Sequence, residues 1–266
     1  MKKIIKEKIK SFIEARPLVW NFAWQTLHSS SLFLPHDPCY YSISHLAHDP
    51  CATILDIGAN QGISALSFSK LCPSANIISF EPNMALESNL ISVAKRIKNF
   101  EFHMCGLGDE DGEFQLFVPR YKDIYLHTFS SLDRLSLERA IMQTYDSSIS
   151  NAIVIENFMC KIYTLDSFGY SPSVIKVDAE GFEDKIFKGG EITIRTSKPS
   201  IIFEAVHGSL EIILERLHNF EYEIFTYDSV DDVFHPYGVL DGGPYNSGSR
   251  NLIAIPEHVK ANIKIV

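Results

Sequence analysis

A-T-I-L-D-I-G-A-N-Q-G, residues 52–62, is the stretch whose reading decides the fold. Ala52–Ile57 is a short apolar run broken only near its end by Asp56, which predicts a buried strand. Gly58 and Gly62 then let the backbone turn tightly. Ile63, Leu66 and Leu71 recur at helical spacing after the turn. The pattern repeats: Asn76–Phe80 predicts a second strand, residues 84–97 a second helix through Leu86, Leu90, Val93, Ala94 and Ile97, and Phe100–Cys105 a third strand. This βαβαβ succession predicts an α/β fold, a doubly wound, mostly parallel sheet with helices on both faces.

Downstream the texture is less regular. Glu113–Val118 alternates like a half-exposed strand after the Asp111-Gly112 turn signal. Residues 132–145 predict a helix and 152–165 one or two strands. Ser173–Asp178, Ser200–Ala205, Tyr222–Tyr227 and Asn251–Ile255 predict further strands, with a helix over 209–220. Residues 228–250, rich in Gly, Asp, Pro and Tyr, predict a long loop of the kind that covers sites.

The chain has 266 residues, 45% hydrophobic and 21% charged, an ordinary globular composition that excludes whole-chain disorder. Its five cysteines are scattered without a CxxC pair, which argues against a disulfide framework or a zinc ribbon and fits a reducing cytoplasm. Net charge is −9, but residues 1–16 carry +4 and the remainder −13, a balance that repels nucleic acid. No apolar run reaches membrane-spanning length, and the N-terminus lacks the pattern of a signal peptide. Ile5, Ile9, Phe12 and Ile13 among lysines predict a basic amphipathic helix, ended by Pro17 and followed by a second apolar stretch with Trp20 and Trp24. Such a helix packs on its own domain, on a second subunit or on a membrane surface, the first being the commonest arrangement. The expected division is therefore an N-terminal helical extension, 1–49, and a main domain, 50–266.

The turn at 56–62 also carries chemistry. A helix start offers free N–H groups to an anionic group, and Asp56 suits a cationic portion of a ligand. The spacing is not GxGxxG, because Asn60 stands at the second glycine's place, which disfavours a dinucleotide pyrophosphate. Glu81 closes the second strand 25 residues after Asp56, where an acidic residue can accept both ribose hydroxyls. Together these point to a nucleoside site at the crevice of the sheet.

D-I-G-A-N-Q-G followed by F-E-P-N resembles S-adenosylmethionine-dependent methyltransferases, and within them the FkbM family. C-G-L-G-D-E-D-G-E-F (105–114), S-S-L (130–132), Y-T-L-D-S-F (163–168), I-K-V-D-A-E-G-F-E (175–183), K-P-S-I-I-F-E (198–204) and R-N-L-I-A-I-P (250–256) extend the resemblance over about residues 50–256. It implies the class I methyltransferase, Rossmann-like sheet of seven strands, the last antiparallel. It implies S-adenosylmethionine lying over the strand tips, with Asp56, Gly58, Asn60 and Gly62 on its methionine side, Glu81 on the ribose, and Asn83, Gly108 and Asp109 flanking ribose or adenine.

D-A-E-G-F-E holds three acids. Asp178 ends a buried strand, and Glu180 and Glu183 follow around Gly181, so strand tip and helix start can converge. They are candidates for cofactor or substrate contact and for taking a hydroxyl proton, or equally for stabilising a helix N-terminus. Three acids can also hold a divalent cation, although no metal is expected. Glu204 and His207 follow the next strand at the same edge and are further general-base candidates. Lys176 is expected to pair with an acid, and His45 with His48 and Asp49 to face solvent. The expected activity is O-methylation of a sugar, glycan or small natural product, with Tyr237, Tyr245 and Asn246 as part of an acceptor cover. The competing readings are a nicotinamide-dependent sugar oxidoreductase or epimerase, and a non-catalytic module with a degenerate pocket.

Overall fold

The computed structural model describes residues 35–47, 49, 51–179, 181–204, 210–238 and 250–266. The expected basic helix over 2–16, and Trp20, Trp24, His48, Glu180, His207, Tyr245 and Asn246, lie outside the described residues. Among the described residues twelve strands follow in chain order: β1 (Thr53–Ile57), β2 (Asn76–Phe80), β3 (Phe100–His103), β4 (Gly106–Leu107), β5 (Gly112–Tyr121), β6 (Ile124–Tyr125), β7 (Ile153–Tyr163), β8 (Val174–Val177), β9 (Ser200–Glu204), β10 (Tyr222–Asp228), β11 (Val233–Pro236) and β12 (Asn251–Pro256). The main helices are α1 (Ile63–Leu71), α2 (Glu87–Ala94), α3 (Arg134–Thr144), α4 (Glu183–Gly189), α5 (Glu191–Ser197) and α6 (Leu210–Asn219).

The main sheet runs β11-β10-β12-β9-β8-β1-β2-β3. From β3 through β9 its neighbours are parallel, and β12 enters antiparallel between β9 and β10. The chain winds outward through β1, β2 and β3, then returns to lay β8 beside β1. That return is the topological switch point, where a parallel sheet opens a crevice beyond its strand ends. The expected seven strands gain an eighth at the edge, β11, inside the segment expected to be a loop. Its Val233 and Phe234 are buried, and burying them outweighs the loop-like composition around them.

A second sheet, β4-β7-β5-β6, was not anticipated as a unit. β5 and β7 pair antiparallel along their length, from Gly112↔Ile162 to Tyr121↔Ile153. Both were visible as strands, but β6 and α3 intervene, so no turn signal announces the pairing.

Strand alternation sorts the core into two layers. Ile54, Val174 and Ile202 bury on one face of the main sheet, while Leu55, Ile57, Ile175, Val177, Ile201 and Phe203 bury on the other. The register Asp56↔Lys176↔Ile202 therefore places Asp56, Lys176 and Glu204 on the first face. A 3-10 turn at Pro38–Ser42 and a helical turn at Ile43–Leu46 cover that face, and Cys39, Tyr40, Ile43 and Leu46 join its buried cluster. Residues on the N-terminal side of the expected boundary at 49/50 thus share the main core.

Candidate active site

A cavity of about 270 Å³ opens at the ends of β1, β2 and β8, large enough for more than an ion or a water. Its floor is the turn after β1. Gly58 has φ +74°, and a Cβ there would stand 1.8 Å from the Asp178 carbonyl oxygen, so the two strand tips meet only because residue 58 has no side chain. Gly58 and Ala59 both donate their N–H to the Phe80 carbonyl, tying the turn to β2 as well.

Glu81 follows β2 and is nearly fully buried. One carboxylate oxygen accepts the Asn60 N–H at 2.7 Å and the other the Asn83 N–H at 2.9 Å. Burial pushes its carboxyl up to about 7, against the pull of those two N–H groups. Glu81 and Asn60 both line the cavity, and the Asn60 Oδ1 is buried without a hydrogen-bond partner among the described residues. The Asn83 Oδ1 accepts the Ala85 N–H, and its amide nitrogen lies 3.0 Å from the His127 Nδ1. Burial lowers His127 to about 4, so its ring lines the cavity uncharged at neutral pH.

Asp56 is fully buried, and its charge is engaged inside the protein. Ser64 and Ser79 donate to its Oδ2 at 2.7 and 3.1 Å, and the Lys176 ammonium lies 3.3 Å from its Oδ1. Lys176 also donates to the carbonyls of Ile57 and Gly58, at 3.2 and 2.7 Å, and stands 3.7 Å from Asp178. Burial works to lower this ammonium, but Asp56 and Asp178 override it and hold the group above its ordinary value. Asp178 keeps 41% of its side-chain surface exposed and lines the cavity.

Glu183 opens α4 fully buried. Its Oε1 accepts the N–H groups of Ala179 (3.0 Å) and Gly181 (3.1 Å), folding the D-A-E-G loop around it. Burial raises its carboxyl. Glu204, at the end of β9, is raised to about 7, by burial first and then by Asp178, while Arg250 at 3.1 Å opposes the shift. Asp56, Asn83, Glu183 and Glu204 are not among the residues that line the cavity, and the remaining described candidates are not either. Gly62 packs against Leu90 and Val93 of α2, Gly108 faces Ile162 and Phe182, and Asp109 pairs with Lys188 at 2.8 Å. Tyr237 packs into the core of the other sheet face. His45 pairs with Asp232 at 2.7 Å.

The profile of the methyltransferase FkbM domain matches residues 56–235. The chain belongs to the FkbM methyltransferase family. Members of this family are S-adenosylmethionine-dependent methyltransferases. Methyltransferase 1 of Beauveria bassiana (strain ARSEF 2860) is 25% identical over 163 residues, which cover 58% of this chain and 63% of that protein. The chain thus spans less than two thirds of that relative's length. Among solved structures, methyltransferase FkbM from Methylobacillus flagellatus KT is similar at 17% identity and a TM-score of 0.48, over 89% of this chain and 59% of that one. Precorrin-6y C5,15-methyltransferase from Geobacter metallireducens GS-15 follows at 11% and 0.43, over 81% and 87% of the two chains. Aeropyrum pernix fibrillarin, solved with natively bound S-adenosyl-L-methionine, stands at 11% and 0.40, over 82% and 76%. No helix among the described residues is long and apolar enough to cross a membrane.

The residues fit the family's cofactor. A carboxylate anchored by two backbone N–H groups suits a pair of ribose hydroxyls, and the unpartnered Asn60 oxygen offers a further acceptor. His36, Tyr40, His127 and the residues after it also line the cavity, and sequence reasoning assigned them no role. S-S-L (130–132) was the one local signal near any of them; His36 and Tyr40 carry none.

Proposed function

We propose that this chain transfers the methyl group of S-adenosylmethionine to a hydroxyl oxygen of a saccharide or small natural product. The observation that carries the reading is one cavity lined by Glu81, a carboxylate suited to ribose, and by Asp178, with Glu204 at the tip of β9 on the same sheet face and raised in part by the Asp178 charge. Bound in the cavity, the cofactor supplies a methyl group on a cationic sulfur. Glu81 accepts hydrogen bonds from the ribose hydroxyls. Asp178, at the Gly58 end, faces the ammonium of the cofactor's amino-acid tail. A hydroxyl attacks only as its proton leaves, and Glu204, held at about 7, is the group poised to take it near neutrality. Glu183, turned onto the N–H groups of Ala179 and Gly181, holds the loop beside Asp178. Fixing donor and acceptor in line contributes up to roughly 7–11 kcal/mol.

Incubating the protein with labelled S-adenosylmethionine and a panel of sugars, read by mass spectrometry, tests the reading. One acceptor is expected to gain a methyl group, and its rate to persist in EDTA. Glu204→Gln is expected to lower turnover by about 10²–10⁴-fold with S-adenosylhomocysteine affinity retained. Wild-type turnover in Glu204→Gln would remove the base assignment. Micromolar binding of a nicotinamide dinucleotide without any of S-adenosylhomocysteine would replace the whole reading with an oxidoreductase.

A further inference from the structure

The matched family domain begins at residue 56, yet the cavity wall includes His36 and Tyr40. Their position follows from the sheet. The 3-10 turn at Pro38–Ser42 is held by the Asp37 carboxylate, which accepts the Cys39 N–H at 2.7 Å. Tyr40 is buried with its ring 4.9 Å from that of Phe68, on the face that carries Asp56 and Lys176. The His36 ring stands edge-on to Tyr40 at 4.9 Å. Both residues line the same cavity as Gly58 and Asp178.

Among the described residues that line the cavity, charge at this end is one-sided. Asp178 is the exposed ionic group there, and Lys176 is already taken by Asp56 and two carbonyls. An amino-acid tail has an ammonium and a carboxylate. Asp178 suits the first, and the second needs N–H or O–H donors from another wall. Tyr40 and His36 carry such donors on their side chains, and both rings line the cavity. Burial and the neighbouring carboxylates keep the Tyr40 phenol protonated, hence a donor.

We propose that His36 and Tyr40, from outside the matched domain, hold the α-carboxylate of the cofactor's amino-acid tail. This rests on the cavity taking S-adenosylmethionine. It makes the segment before β1 a working part of the site.

Calorimetry on the full chain tests it with two probes, S-adenosylhomocysteine and its decarboxylated analogue, which keeps the amine. Wild type is expected to prefer S-adenosylhomocysteine. Tyr40→Phe, which preserves the packing on Phe68, and His36→Ala are each expected to weaken it by about tenfold, the scale of one hydrogen bond to a charged group, while leaving the decarboxylated analogue within about twofold. Unchanged S-adenosylhomocysteine affinity in both variants overturns the proposal. Equal losses on both probes also overturn it, because they report a collapsed wall rather than a lost carboxylate contact. Wild type that binds neither probe brings down the nucleoside reading itself, a result distinct from either of these.

Discussion

The tips of β1 and β2 each carry a buried carboxylate, and the two have opposite kinds of partner. Asp56 faces a buried ammonium and two serine hydroxyls, all inside the protein. Glu81 faces two backbone N–H groups and the cavity, with no lysine or arginine paired to it among the described residues. Burial is nearly the same, so it does not separate them. What separates them is the partner: a full counter-charge consumes a carboxylate, whereas two N–H groups orient it and leave lone pairs for a ligand. A motif acid at a strand tip is thus a structural or a ligand-binding group according to what stands across from it in the next strand.

The largest expected effect lies on the Asp56 side. Asp56→Ala leaves Lys176 charged and buried at 4% side-chain exposure, and the loss is expected to be about 3–5 kcal/mol in a denaturation experiment. Asp56→Ala combined with Lys176→Met is expected to recover much of it, because no charge then stays uncompensated. A loss below about 1 kcal/mol in the single variant would mean that Asp56 is not structural, and the contrast with Glu81 would fail.

Glu81→Gln sharpens the other side. Shape is kept and the negative charge goes, so S-adenosylhomocysteine affinity is expected to fall by about tenfold or more, with less loss of stability than in Asp56→Ala. Calorimetry and thermal unfolding on one sample separate the two quantities. If Glu81→Gln unfolds the protein while Asp56→Ala only weakens ligand binding, the assignments are reversed.

Much of this was legible in residues 52–105, because each element there is local: apolar runs, glycine turns and helical spacing follow one another, and Glu81 sits at a readable distance from Asp56. The partner of Asp56 was half legible. Alternation put Lys176 on the face opposite Val177, but only the β1–β8 register sets it beside Asp56. Glu183 was placed correctly at a helix start, yet its side chain turns back onto the loop N–H groups, a choice made by burial and not by spacing. The β5–β7 pairing and the arrival of His36 and Tyr40 at the cavity are non-local contacts, and no period or motif in the chain encodes them.

The last expected effect is the pH dependence, which has opposite signs for stability and for ligand binding. Glu81 and Glu204 are raised from about 4.5 unfolded to about 7 folded. Between those values the folded chain binds more protons than the unfolded one, so these groups make stability fall as pH rises from about 4.5 to about 7. Ligand binding is expected to move the other way. Ribose hydroxyls donate best to an ionised Glu81, so S-adenosylhomocysteine affinity is expected to rise toward pH 7 and flatten above it. The gain is bounded by what Glu81→Gln loses, since glutamine stands for the protonated acid. Calorimetry between pH 5.5 and pH 8 checks this on wild type and Glu81→Gln together, with Glu204→Gln as the control for the second group. An affinity that climbs in wild type and is flat in Glu81→Gln ties the ligand to the β2 tip. The same climb in both variants would move the titrating group elsewhere and leave Glu81 no more bound to the ligand than Asp56 is.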